Sequence, residues 1–253
     1  MNRHLVSIII NTRKIVCIAR ILTLEHLREP TALIWSAIAP CLLFLLTQGH
    51  VGTTPIQSDT YIHSASWFFS YISASVAFFG FSFYLIGRRE SGFTRSFIYQ
   101  RSAIGRFLAA HFLSYSAVSM LYAVVFYLTT KPLYGNYEIS ELLYLTACFY
   151  TSFLFFCCLG LAVAALPIKF STSSTLFSLL SYLMLLSGYL GTLQAHPVSQ
   201  GVFAMNPLQL SSKIFNNEIP LSASFCTALT ALLTGLYITG RHFRTQPVWS
   251  RYS

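Results

Sequence analysis

The chain has 253 residues, enough for one domain or two. With 55% hydrophobic and only 9% charged side chains it has too little polar surface to cover a water-soluble globule of that size. Its net charge of +9 would suggest nucleic acid in a soluble protein; in a chain this apolar it reads as the Lys and Arg that collect in the cytoplasmic loops of membrane proteins. The apolar runs are near-continuous and about twenty residues long, which favours spanning helices over barrel strands, whose apolar and polar residues alternate over about ten. An all-α polytopic membrane protein is the expectation.

In chain order, residues 1–29 come first. Arg13, Lys14, Arg20, Glu25, Arg28 and Glu29 interrupt the apolar residues, so this is no signal peptide. On a helical wheel Leu5, Ile8, Ile9, Ile15, Val16, Ile18, Ala19 and Leu22 share one half, and the basic residues the other. That pattern fits an amphipathic helix on the membrane surface, or a solvated helix packed on another domain. Residues 30–253 form the expected six-helix membrane domain. Its spans run over about 31–47, 66–86, 107–130, 142–166, 175–193 and 221–240. The first is near the short limit. Between the last two lies 194–220, too apolar for a free loop and too broken for a span, as a re-entrant or interfacial segment would be.

Charge then sets the orientation. Fourteen of the 16 basic residues fall in the N-terminal segment, the loops after spans two and four, and the C-terminal tail; only Lys131 and Lys213 fall on the other side. The positive-inside rule makes the first side cytoplasmic, with both termini there. An odd number of spans would scramble this segregation.

Enzymatic signatures are missing. There is no GxxxxGK[ST] loop for ATP, no HExxH and no GxSxG. No metal ligand set is apparent, and the six cysteines read as small packing residues. His111 lies inside the third span without a second His or carboxylate at ligand spacing, as a packing residue would; an intramembrane His is still worth a functional flag. No Asp, Glu, Lys or Arg is expected deep within a span. The unusual feature is the loop 87–106, where Phe93, Phe97, Ile98 and Ile104 stand among Arg88, Arg89, Glu90, Arg95 and Arg101. Such a stretch suits a docking helix for a cytoplasmic partner, or a helix lying on lipid headgroups.

Three local patterns resemble the membrane subunit (permease) of a type-2 ATP-binding-cassette (ABC) exporter. Leu27-Arg28-Glu29-Pro30, with Ile34-Trp35 and Ala39-Pro40, resembles that family's approach to span one from an amphipathic helix. Arg89-Glu90-Ser91-Gly92 resembles its acidic-x-Gly motif after span two, and Met205-Asn206-Pro207-Leu208 its Asn-Pro-Leu element before the last span. Where family members often carry a proline late in the coupling stretch, this chain has Arg101-Ser102.

The resemblance implies a permease of a bacterial inner (plasma) membrane that exports a substrate and has no catalysis of its own. It implies ATP and Mg bound on a separate ATP-binding subunit, and a second copy of the chain or a related permease as partner. Arg89, Glu90, Gly92, Phe93 and Phe97 would couple to that ATPase. Phe78, Tyr84, Tyr115 and Tyr122 would line the substrate path between the paired subunits. The alternatives are a non-transporting membrane partner or immunity protein, and an intramembrane enzyme.

Overall fold

The computed structural model describes residues 3–48, 58–92, 101–192, 201 and 205–242. Among these it is helical, with no strand. Helix α1 is Arg3–Leu27. Helix α2 is continuous through Pro30–Leu33, a π-helical Ile34–Ile38 and Ala39–Gln48. Helix α3 likewise joins Ser58–Ser75, a π-helical Val76–Ser82 and Phe83–Glu90. Then follow α4 (Arg101–Thr130), a 3-10 turn at Lys131–Leu133, α5 (Ile139–Ala165), α6 (Phe170–Thr192), α7 (Pro207–Phe215) and α8 (Leu221–His242).

Among the described residues five helices are long and apolar enough to cross a membrane: α3, α4, α5, α6 and α8. The expected first span, α2, contributes only the shorter apolar stretch Ser36–Thr47. The apolar part of α3, Tyr61–Glu90, is 30 residues long, well beyond the roughly 20 that a bilayer core needs. The helix runs on through Arg88, Arg89 and Glu90, past Ile86, where hydropathy would end it.

Helices α3 and α5 form the centre. Ser66, Ser70 and Ser73 of α3 are buried and turn their hydroxyls back to carbonyls of their own helix, at 2.9, 2.9 and 2.8 Å, so they cost the core no unmatched donor. Small side chains let helices approach closely. The tightest approach is Gly160 of α5 against Ser82 of α3, where a Cβ on the glycine would stand 2.0 Å from the serine Oγ and 2.8 Å from its Cβ. Gly160→Ala is expected to cost about 1–3 kcal/mol by overpacking, and Ser82→Gly to relieve much of it. Thermal unfolding of the two single variants and the double variant in detergent checks this.

Around this centre α4, α6 and α7 pack on α3, and α8 on α5. Helices α6 and α8 leave most of their surface exposed, including Leu179, Tyr182 and Leu183 on one and Leu233, Tyr237 and Ile238 on the other. Helix α1 does not lie free on a surface. Ala19, Leu22 and His26 are buried, and α1 runs along α4, with Thr23 bonded to Ser114 at 2.9 Å and His26 Nε2 to the Tyr122 hydroxyl at 3.1 Å. Of the apolar residues of α1, Ala19 and Leu22 are buried in the bundle while Val16 stays exposed.

Candidate functional site at the Arg-rich end

The last turn of α3 is built from Arg88, Arg89 and Glu90. Basic residues suit a helix C-terminus, where unpaired carbonyls concentrate negative partial charge. Arg89 serves a different helix end. Its guanidinium donates to the carbonyls of Ala164, Leu166 and Ile168 at 3.0, 3.2 and 2.8 Å. These are carbonyls at the end of α5 and in the link to α6, groups that a helix terminus leaves without intrahelical donors. The remaining edge of the guanidinium donates from Nε to Glu90 Oε1 at 3.0 Å. Both side chains are almost completely buried, at 5% and 6% exposure. One arginine thus joins the end of α3 to the α5–α6 junction, and Glu90 balances its charge.

Glu90, expected among the residues that couple to the ATPase, is buried in this pair. Gly92 follows with φ +74, left-handed backbone that a glycine adopts without strain. Nothing lies within 4 Å of where its Cβ would be, so the residue is there for the turn and not for a close approach. Phe93 and Phe97 lie outside the described residues.

Beside the clamp, Arg88 pairs with Glu25 of α1, and the Tyr84 hydroxyl donates to the same carboxylate at 2.8 Å. The Arg88 guanidinium sits 5.1 Å over the Tyr84 ring. This ties the C-terminal turn of α1 to α3. Above it opens a cavity of about 820 Å³ between the end of α1, α2, α3 and α6. Helix α3 and the Ser91 that caps it supply Tyr71, Ser75, Phe79, Phe83, Gly87 and Ser91, every fourth residue, together with Gly80, Tyr84 and Arg88. Helix α6 supplies Phe170, Ser178, Ser181, Tyr182 and Leu185. Ser36 comes from the π-helical stretch of α2, and its hydroxyl meets that of Ser75 at 3.3 Å.

Of the four aromatics expected along a substrate path, only Tyr84 lines this cavity. Phe78 is fully buried between Phe156 and Phe177, with ring centroids 5.7 Å away in both cases. Tyr115 and Tyr122 are buried against α1, where both hydroxyls reach the ring nitrogens of His26. These three face the interior of the bundle because their helix faces meet α1, α5 and α6 of the same chain. His111 is likewise interior, its Nε2 2.8 Å from the Phe81 carbonyl and its ring stacked on Phe81 and Phe107. The residues that line the cavity instead were readable in part. Ser178, Ser181, Tyr182 and Leu185 follow i, i+3, i+4, i+7 spacing, one face of a helix.

Two further groups of charged and polar residues were assigned otherwise from the sequence. Lys131, expected on the external side, forms a buried ion pair with Glu141 at the opposite end, at 3% and 5% exposure. The ammonium also sits 5.0 Å over the Tyr61 ring, whose hydroxyl meets Thr130 Oγ1 at 2.9 Å. The Asn-Pro-Leu element proves to be a helix start. Asn206 Oδ1 accepts from the Leu208 amide at 3.0 Å, Pro207 occupies the first helical position, and Asn206 Nδ2 donates to the Met184 carbonyl of α6 at 2.8 Å. Helix α7 then packs on α3 and α5, its Ser211 bonded to Ser152 about halfway along α5. Among the described residues no cluster of His, Cys, Asp and Glu could hold a metal ion.

These features define the class: a polytopic, all-α membrane protein with a charged clamp at one end and an aromatic cavity above it. No family model matches the chain. Over 244 residues it is 28% identical to Protein McbE of Escherichia coli, an alignment that covers 92% of this chain and 97% of that one.

Proposed function

We propose that the chain is the membrane subunit of an ABC-type exporter, with its Arg-rich end in the cytoplasm of a bacterial cell and α2 as a sixth, short crossing. Two copies pair, and each docks a separate subunit that binds ATP and Mg. The chain itself performs no catalysis. The observation that supports this best is the Arg89 clamp. The resemblance implies an ATPase docked at the loop around Glu90, and a push there would reach α3 and α5 together, because one guanidinium joins the end of α3 to the end of α5 and the link to α6.

The cavity supports the same reading. It is flanked by α2 and α6, whose outer faces expose Leu42, Leu43 and Leu46, and Tyr182 and Leu183. A second copy set against these faces would enclose a route lined by aromatic rings and serine hydroxyls. Binding sites for small molecules have this composition, mostly apolar with a few placed polar groups.

The test is co-expression with a phosphate-loop ATPase encoded beside it, followed by purification and light scattering. A complex of two membrane and two ATPase subunits, with ATP hydrolysis absent from the membrane chain alone, is the expected result. A chain that purifies without any ATPase, and whose loss leaves export from the cell unchanged, would make it a non-transporting membrane protein.

A further inference from the structure

The cavity beside the clamp has an uneven chemistry. Its walls are the rings of Tyr71, Phe79, Phe83, Tyr84, Phe170 and Tyr182, with serine hydroxyls between them. Among the described residues only two that line it carry a formal charge, Glu29 and Arg88. Both stand at one end, where the Tyr84 hydroxyl lies 3.4 Å from Glu29 Oε1 and 3.3 Å from the Arg88 guanidinium.

The charges at that end do not cancel. Arg88 is paired with Glu25, and the Tyr84 hydroxyl donates its proton over the shorter path, 2.8 Å, to the same Glu25 oxygen. Glu29 is left with the long contact to that hydroxyl. The ion pairs among the described residues are those of Arg88, Arg89, Lys131 and Lys213, and none of them includes Glu29. One guanidinium thus faces two carboxylates, and one negative charge is left over. His26, also in the lining, supplies no proton to Glu29: its ring nitrogens meet the hydroxyls of Tyr122 and Tyr115.

An occupant that excludes water from the cavity would strand the Glu29 carboxylate beside aromatic walls, a costly state unless the occupant brings the opposite charge. The walls favour the same sign. An aromatic face attracts a cation, and the Arg88 guanidinium already sits 5.1 Å over the Tyr84 ring. An anion would have to displace Glu25 from Arg88 and would then meet Glu29. A wholly apolar molecule would leave Glu29 unmatched.

We infer that the cavity takes an organic cation: an aromatic or apolar body carrying a protonated amine. Glu29 binds the ammonium, and the rings of α3 and α6 hold the body. The inference rests on the transport reading for the fate of this ligand, and adds to it the chemical class of the cargo.

The probe is 9-aminoacridine, a flat aromatic amine that is cationic at neutral pH. Acridine is the uncharged control and acridine-9-carboxylate the anionic one. Equilibrium binding to the purified full chain in non-ionic detergent is read by fluorescence polarisation. The cation should bind about tenfold or more tightly than acridine. Glu29→Gln should bring it to the affinity of acridine, and Glu29→Asp should keep part of the preference. Ser181→Trp, which fills the cavity, should weaken the binding of both.

Equal affinity of the wild-type chain for 9-aminoacridine and acridine overturns the inference without any variant. So does a cation preference that Glu29→Gln leaves intact, or tighter binding of acridine-9-carboxylate that Arg88→Gln removes. Export is scored separately, as ATP-dependent loss of 9-aminoacridine from cells that carry the chain and its ATPase. Cation binding that depends on Glu29, in a chain that captures no ATPase, upholds the site and removes the transport reading. A chain that works with its ATPase but shows no cation preference keeps the transport reading and overturns the inference.

Discussion

Replacing Arg89 by alanine is expected to cost the chain about 3–5 kcal/mol, the range found when one partner of a buried charge pair is removed. The substitution strips Glu90 of the guanidinium 3.0 Å away and leaves the carbonyls of Ala164, Leu166 and Ile168 without that donor. Lysine should rescue little, since one ammonium cannot serve three carbonyls and a carboxylate with a planar fork. Thermal unfolding in detergent is the first measurement. The second separates packing from coupling: Glu90→Gln keeps a hydrogen-bond acceptor for Arg89 and should insert and bind the ATPase normally. If the clamp transmits motion, that variant loses export while ATP binding to the complex persists. Unchanged stability in Arg89→Ala would mean that the α5–α6 junction holds without it, and unchanged export in Glu90→Gln would withdraw the coupling role.

The second large effect lies at the opposite end. Glu141→Ala is expected to destabilise by a similar amount, about 3–5 kcal/mol, because it leaves the buried Lys131 ammonium without its carboxylate. The Tyr61 ring beneath the ammonium offsets only part of that, since a cation–π contact contributes about 2 kcal/mol at most sites of this kind. The double variant Lys131→Met, Glu141→Leu should be milder than Glu141→Ala alone, as buried pairs often tolerate apolar replacement of both members. A double-mutant cycle read by thermal unfolding decides. If the single variant and the double variant unfold together with wild type, the pair is not the latch of the α4–α5 hairpin.

Much of the architecture was legible in the residues. Runs near twenty apolar positions gave the helices α3, α4, α5, α6 and α8, because a helix that crosses hydrocarbon must be apolar along its whole length. Their ends were misjudged at charged residues. Hydropathy falls at Arg88, Arg89 and Glu90, yet the helix runs on to Glu90, since pairing allows charges to stay buried. The pairing of Lys131 with Glu141 is hidden for a related reason: they stand on either side of a turn with Pro132 and Gly135, and nothing in the spacing announces that the turn folds them together.

For the site, the acidic-x-Gly pattern located the right turn and the left-handed Gly92, while the acceptors of Arg89 belong to a helix end 75 or more residues further along, beyond the reach of any local pattern. The aromatic richness of α3 and α4 was visible. Which ring faces the cavity was not, because α3 does not keep the spacing of a regular helix along its length.

That irregularity has a use. In a regular α-helix, positions four apart advance by about 40° around the axis, so a row of them winds away from any one neighbour. The cavity row of α3, from Tyr71 to Ser91, steps by four throughout and would wander more than half a revolution. The π-helical Val76–Ser82, with its wider turn, winds this row backward across its middle. Part of the phase gained above is cancelled, and the furrow stays straighter than a regular helix would make it. Deleting one residue from Val76–Ser82 would therefore do more than shorten a helix. It would let the segment close to a regular α-helix that turns about as far in total, so Phe83, Gly87 and Arg89 would keep their faces while the residues at the middle of the furrow lose theirs.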